Sequence, residues 1–197
     1  MTTDGGATDS RTTDEGTADW EERVAAAWAG FEAHPQADPT DATDPTNPTE
    51  AARFRARIDA LVAELPDGSP VGPFERACAW DSTGHPDRAV PQYQEALALG
   101  LDGYRGRRAK IQLSSSLRNL GQPAEGVRLL SPELVSASDE LDDAVRATLA
   151  LCLADLGRER EGLSLALGAL APHLPRYRRS MANYARLLVE PEAQPPA

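Results

Sequence analysis

Side chains that could bind a metal ion or act as a catalytic base are few and widely separated in this sequence. The histidines are His34, in a proline-rich stretch, His85, after a glycine, and His173, next to a proline. Two imidazoles on one helix can share a metal ion when they are four residues apart. No two of these histidines have that spacing, so we expect no metal site of this kind.

The two cysteines, Cys78 and Cys152, each lie within an apolar pattern of helical period and far apart in the sequence. We expect both to be buried and reduced, because a disulfide needs Cα atoms within about 7 Å of each other. A thiol becomes a nucleophile when a base or a positive charge stabilises its thiolate, and the pattern predicts no histidine near Cys78. Residues 100–106 lack the lysine and the preceding strand of a phosphate-binding loop. We therefore expect no catalytic residue and no cofactor.

One basic cluster could contact phosphate groups: Arg105, Arg107, Arg108 and Lys110, with Tyr104 beside them. The formal net charge of the chain is −11, but residues 1–50 carry 12 acidic and 2 basic side chains, so the remainder is nearly neutral. A domain that binds nucleic acid concentrates positive charge on its surface. We expect the basic cluster to be a solvated helix face, and nucleic acid is not the expected partner.

The elements that must position these side chains are helices, and the first of them stands apart. Residues 1–17 are rich in Thr, Asp and Gly and predict a disordered acidic tail. Residues 34–48 contain four prolines and predict an extended linker. Between them, residues 18–33 predict a tethered amphipathic helix, which either caps the helices that follow or occupies a groove in its own chain. Its apolar face consists of Trp20, Val24, Trp28 and Phe31.

Residues 49–189 predict one repeat domain with flanking helices, and within it residues 70–171 repeat a helical pattern with a period of 36 or 37 residues, marked by Gly84, Gly121 and Gly157. Two helices joined at a glycine bury only part of their apolar faces against each other, so each pair needs a neighbour. The sequence therefore predicts an all-α solenoid without a sheet, followed by a disordered tail over residues 190–197. Its last helix is predicted from His173 or Leu174 to Val189, with an apolar face of Tyr177, Met181, Tyr184 and Leu188.

The residues around the three glycines resemble the tetratricopeptide repeat, in which a helix end, a glycine, a short polar turn and a small residue follow one another. The matching stretches are residues 79–90, 117–126 and 153–162. Residues 74–102 and 114–121 are similar to a bacterial subgroup of this family whose role is unassigned. This sequence departs from the pattern at Gly126 and Gly162, where alanine is usual, at Glu133, and at Pro132, which should bend or end the second helix of the middle repeat.

The resemblance implies that the first helices of the repeats line a concave groove that binds an extended peptide. There Arg118 could hold a carboxylate and Asn119 could pair with peptide backbone. Alternatively, Arg118 forms a salt bridge with Asp81 or Asp155. The positions that would face the groove are Phe74, Cys78, Asp81, Ser82, Arg108, Ile111, Ser115, Arg118, Asn119, Ala147, Leu151 and Asp155.

We expect a non-enzymatic scaffold that binds another protein or a peptide. The alternative is a helical sensor or regulatory module that binds a small ligand or nucleic acid. The first residues lack the pattern of a signal peptide, and the longest uncharged stretch, residues 162–175, is too short to cross a membrane. The expected location is cytoplasmic. The sequence predicts neither the identity of the partner nor an oligomeric state.

Overall fold

The computed structural model describes residues 9–32, 49–136 and 138–190, with side chains from residue 16 onward. The predicted linker, residues 1–8 and residues 191–197 lie outside this part. The described residues form helices and no strand, which confirms the predicted all-α class. The α-helices are α1 (Asp9–Glu32), α2 (Glu50–Val62), α3 (Val71–Ser82), α4 (Pro86–Ala98), α5 (Gly103–Asn119), α6 (Pro123–Leu130), α7 (Asp142–Asp155), α8 (Glu159–Leu170) and α9 (Arg178–Leu187).

Three hairpins with equivalent turns form the body of the fold: α3–α4, α5–α6 and α7–α8. At each turn the glycine has a positive φ, of +81° at Gly84, +76° at Gly121 and +73° at Gly157. The residue after each glycine donates its backbone N–H to a carbonyl near the end of the first helix, over 2.9–3.0 Å. These bonds satisfy carbonyls that the helix end leaves free, and glycine adopts this φ at little cost.

The hairpins stack so that each second helix lies against the next first helix, and successive first helices also touch. One buried cluster shows how the apolar faces are shared. It includes Phe74 of α3, Tyr93 of α4, and Leu113 and Leu117 of α5, each at most 4% exposed. The stacked arrangement of helical hairpins is the repeat architecture that the period predicted.

The departures at Gly126 and Gly162 have a steric cause. A Cβ atom built on Gly126 would lie 2.7 Å from Sγ of Cys152, and one on Gly162 would lie 2.7 Å from the carbonyl oxygen of Ala150. Non-bonded carbon atoms do not approach other atoms so closely. Alanine at Gly162 would therefore collide with the first helix of its own hairpin, whereas alanine at Gly126 would collide with α7 of the next hairpin and lie tightly, at 3.2 Å, against the carbonyl oxygen of Ser114 in α5.

Pro132 ends the second helix of the middle hairpin, as predicted. Helix α6 stops at Leu130, and the chain continues as a 3₁₀ helix over Ser131–Val135. Glu133, which stands where a small residue is usual, is only 7% exposed. The early end of α6 thus brings a carboxylate into the interior between hairpins.

Helix α1 begins at Asp9, nine residues before the predicted start, so the interpretation of residues 9–17 as disordered was wrong. That interpretation rested on composition and did not consider that acidic residues near a helix N-terminus interact favourably with the helix dipole. The apolar face of α1 packs on α2: Trp20 is 5% exposed and donates its indole N–H to the carbonyl of Leu61 over 2.8 Å, and Phe31 stacks on Phe54 at 4.2 Å. Of the two predicted positions, these contacts correspond to the cap.

Helix α9 differs from the predicted last helix in both its start and its buried face. It begins at Arg178, after Tyr177, whose φ is +66°. The rings of Tyr177 and Tyr184 are 75% and 59% exposed, whereas Ala185 is buried and its carbonyl accepts a hydrogen bond from Ser164 over 2.7 Å. The left-handed residue starts the helix later than a continuous pattern would, and of the predicted face only Met181 and Leu188 are half-buried.

The close crossing at Gly162 generates the first prediction. Gly162→Ala should lower the free energy of unfolding by about 1–3 kcal/mol, because the new methyl group meets a backbone oxygen that cannot move independently. The matched control is Gly168→Ala in the same helix, where a Cβ would have no neighbour within 4 Å. That change should stabilise the protein by about 0.5–1 kcal/mol through helix propensity. Urea unfolding followed by circular dichroism measures both; equal effects would contradict the steric explanation.

The packing of α1 generates the second prediction. Trp20→Ala removes a buried indole and should lower the free energy of unfolding by about 3–5 kcal/mol. Trp20→Phe keeps most of the apolar contact, loses the hydrogen bond to Leu61 and should cost about 1 kcal/mol. Glu22→Ala, at an exposed position of the same helix, is the control. If both tryptophan variants unfold at the urea midpoint of the control, α1 does not contribute to stability.

Candidate functional site

The first helices of the hairpins, α3, α5 and α7, contact one another in order, as the groove interpretation requires. Their predicted groove residues differ greatly in accessibility along this row. Phe74 and Cys78 on α3 are 0% and 1% exposed, whereas Leu151 on α7 is 51% exposed. The prediction that Phe74 and Cys78 face an open groove is therefore corrected, since neither side chain can reach a partner in this conformation.

Neighbouring side chains close the N-terminal half of the row. The guanidinium carbon of Arg108 lies 5.3 Å from the centre of the Phe74 ring, and Trp28 of α1 packs against the same core cluster. Cys78 lies 3.4 Å from Oε1 of Gln112 on α5. Burial raises the pKa of the Cys78 thiol to about 12, so the thiol stays protonated at neutral pH. These contacts agree with a structural role for Cys78.

The carboxylate of Asp81 also forms hydrogen bonds within the fold. Its carboxylate accepts hydrogen bonds from Ser116 over 2.8 Å and from the hydroxyl of Tyr93 over 3.4 Å, which links α3 to α5 and α4. Burial raises the pKa of this carboxyl group. Ser82, the next residue, is exposed at the end of α3.

The open half of the row lies on α5 and α7, and we call it the open groove: Ser115, Arg118, Asn119, Ala147, Leu151 and Asp155. Ile111, also predicted to face the groove, is half-buried and packs against the core cluster of α7. Nε of Arg118 lies 2.7 Å from Oδ2 of Asp155. The salt-bridge alternative for Arg118 is thus the one observed, with Asp155 as the partner.

Sequence reasoning missed two residues of this surface. Ala144 and Ala154 are exposed on α7 and extend the stripe of Ala147 and Leu151 in both directions. The spacing of three or four residues along one helix face would have identified them. Small side chains on both sides of Leu151 leave the helix backbone accessible to an approaching chain.

The predicted basic cluster does not form one surface. Arg105 pairs with Glu21 of α1 and with Glu75 of α3, while Nζ of Lys110 lies 2.5 Å from Oε1 of Glu133. Arg107 is 7% exposed, so the interpretation of the whole cluster as a solvated face was wrong for this residue. Because Arg105, Arg107 and Lys110 pair with carboxylates and Arg108 lies over the Phe74 ring, the four cations offer no continuous positive surface for a phosphate backbone.

Arg107 instead connects the hairpins. It lies against the carboxylates of Asp139 and Asp142, which precede and begin α7, and donates to the carbonyl of Glu133 over 3.2 Å. Hydrogen bonds from Ser138 and from Arg107 lower the pKa of Asp142 to about 2. A buried cation of this kind is stable only because carboxylates surround it.

This arrangement generates a prediction on acid stability. The ionised form of Asp142 stabilises the fold above about pH 4, because the pKa of this carboxyl is lower in the folded than in the unfolded state; the contribution is lost as the pH falls towards 2. The difference in urea midpoint between the parent protein and Asp142→Asn should therefore be largest above about pH 4 and should vanish near pH 2. Asp67→Asn, in the exposed turn after α2, is the control. A difference that does not change with pH would contradict this assignment.

Among the described residues, no three side chains of histidine, cysteine, aspartate or glutamate are placed so that they could hold a metal ion together. Nor is any helix within residues 9–32, 49–136 and 138–190 both long enough and apolar enough to cross a bilayer.

Comparisons with known proteins agree with the geometry of the hairpins. A sequence model described as tetratrico peptide repeat matches residues 70–188, more than half of the chain, from the start of α3 to the end of α9. No curated protein and no solved structure matches the chain. Repeats of this type generally mediate contacts between proteins. The chain belongs to the tetratricopeptide repeat family.

Proposed function

We propose that this protein is a non-enzymatic interaction scaffold and that its open groove binds an extended segment of a partner protein. The observation that carries the proposal is the exposure of Leu151. In the glycine register this residue is the counterpart of Cys78, which is 1% exposed, yet half of the Leu151 side chain is accessible. A first helix that ends the row keeps its apolar side chain available for a partner.

The chemistry of the open groove suits an apolar side chain on an extended backbone. Leu151 offers the apolar contact, and the alanines beside it allow close approach. The exposed amide of Asn119 can both donate to and accept from a peptide group. The guanidinium of Arg118 is already engaged by Asp155, so a terminal carboxylate would have to displace an existing ion pair. We therefore propose that an apolar residue of the partner, flanked by free backbone groups, is the main recognition element.

Peptides selected from a displayed random library on the full-length protein test this proposal. Their affinity for the parent and for variants is measured by isothermal titration calorimetry. Leu151→Glu should weaken binding by about tenfold or more, because it places a charge against an apolar side chain. Asn119→Ala should weaken binding by about threefold to tenfold through the loss of one or two hydrogen bonds.

The matched control is Leu99→Glu, which changes a leucine of similar exposure, 44%, at the end of α4. It should leave the affinity unchanged. Circular dichroism verifies that each variant is folded. Selected peptides that bind Leu151→Glu as tightly as the parent protein would exclude the open groove as their site.

A further inference from the structure

The last hairpin has an apolar stripe whose counterparts in the preceding hairpins are mostly covered, with the exception of Leu134, which is 39% exposed. The glycine register aligns Leu163 with Val90 and Val127, and Leu170 with Leu97 and with Leu134 of the 3₁₀ helix. Val90 and Leu97 are partly buried and pack against the cluster that contains Leu113 and Leu117 of the next first helix. Val127 packs in the same way against the cluster of α7.

In α8 no further hairpin of the described residues covers the corresponding side chains. Leu163 and Leu170 are 50% and 46% exposed, and Ala166 between them is also exposed. These three residues lie three to four positions apart and so share one face of the helix. We call this face the end stripe.

Helix α9 covers a different side of α8. Its contacts with α8 include the hydrogen bond from Ser164 to Ala185 and one from Nε of Arg160 to the carbonyl of Leu188, 3.2 Å long. Helix α9 also carries Tyr184 and Leu187, which are 59% and 49% exposed. The final helix therefore leaves the end stripe open and adds apolar surface of its own.

The charge on α9 indicates what kind of partner fits here. The helix contains Arg178, Arg179 and Arg186 and no carboxylate, and all three arginines are exposed. Arg186 pairs with Glu190, which follows the helix, so among the described residues the unpaired positive charge of α9 lies at Arg178 and Arg179. Two copies meeting through these ends would bring like charges together, which opposes a symmetric dimer. The acidic helix of the chain itself, α1, already buries its apolar face on α2. A separate, acidic partner is the complementary choice.

The fold contains a template for such a partner. On the middle hairpin, Val127 of the surface equivalent to the end stripe packs against the cluster of α7. That helix starts with Asp142 and Asp143, and it buries an apolar face of Val145, Leu149 and Leu153. The first hairpin is covered in the same way by α5, which is amphipathic but basic. An amphipathic helix is thus the shape that this repeat accepts on the exposed side of its second helix, and the arginines of α9 favour an acidic one at the last hairpin.

We propose that the end stripe, together with α9, is a second docking surface that accepts an acidic amphipathic helix of another protein in the place that a further repeat would take. This surface is separate from the open groove, and the inference does not depend on the proposed function.

The probe is a synthetic peptide with the sequence of residues 139–156, in which serine replaces the cysteine at position 152. Calorimetric titration into the full-length protein should give saturable binding at one site. The double variant Leu163→Glu, Leu170→Glu should weaken it by about tenfold or more, since two apolar contacts are replaced by charges that repel the acidic peptide. Arg179→Glu should also weaken binding, and more at low than at high salt.

Three controls separate this surface from the open groove. Leu151→Glu and Leu99→Glu should bind the peptide like the parent protein, and a scrambled peptide should not bind. Absence of saturable binding, or binding that survives both the double variant and Arg179→Glu, would overturn the proposal. It would also be overturned if sedimentation equilibrium showed a dimer that the double variant dissociates, because a second copy would then cover the end stripe. Circular dichroism checks the fold; should the double variant be unfolded, Arg179→Glu alone decides.

Discussion

Close contact between the two helices of each hairpin is the constraint on which the remaining structure depends. In two hairpins a small residue of the first helix meets a glycine of the second, Ser114 with Gly126 and Ala150 with Gly162. The equivalent positions of the first hairpin are Ala77 and Ala89, which are both fully buried in one cluster. At the two glycines, even one added carbon would collide with an atom of a neighbouring helix. This crossing brings larger side chains such as Tyr93 and Leu130 to positions where they are fully buried. It also sets the direction of each first helix, and therefore how α3, α5 and α7 follow one another in a row.

The second organising feature is electrostatic and compensates for an irregularity. Helix α6 is shorter than the other second helices because Pro132 ends it, and a 3₁₀ helix follows. Arg107 gathers Glu133 of this segment with Asp139 and Asp142 around one guanidinium. Without these carboxylates the guanidinium, which is only 7% exposed, would be a buried and uncompensated charge, and this costs more than the pairing contributes. The middle hairpin thus joins the last one through charge where the apolar pattern is interrupted.

Much of the fold was predictable because its signals are local. The φ of Gly84, Gly121 and Gly157 requires glycine, and Pro132 cannot continue a helix, so both features are visible in the residues themselves. The accessibility of the groove was not predictable in this way. Phe74 and Cys78 have the spacing of groove residues, but their burial depends on Arg108 and Trp28, which come from α5 and α1. Likewise, the start of α9 depends on the left-handed conformation of Tyr177, a residue type that does not usually adopt it.

The positions of the three tryptophans determine which part of this protein its tryptophan fluorescence reports on. Trp20 and Trp28 lie on α1, and Trp80 lies on α3, so the indole rings are confined to the N-terminal part of the stack. Repeat proteins can lose terminal units separately, because each unit contacts only its neighbours. The fluorescence of these tryptophans would stay constant while α7, α8 and α9 unfolded. A melting curve recorded in that way describes one end of the molecule, and tyrosine signals from Tyr177 and Tyr184 are needed to follow the other.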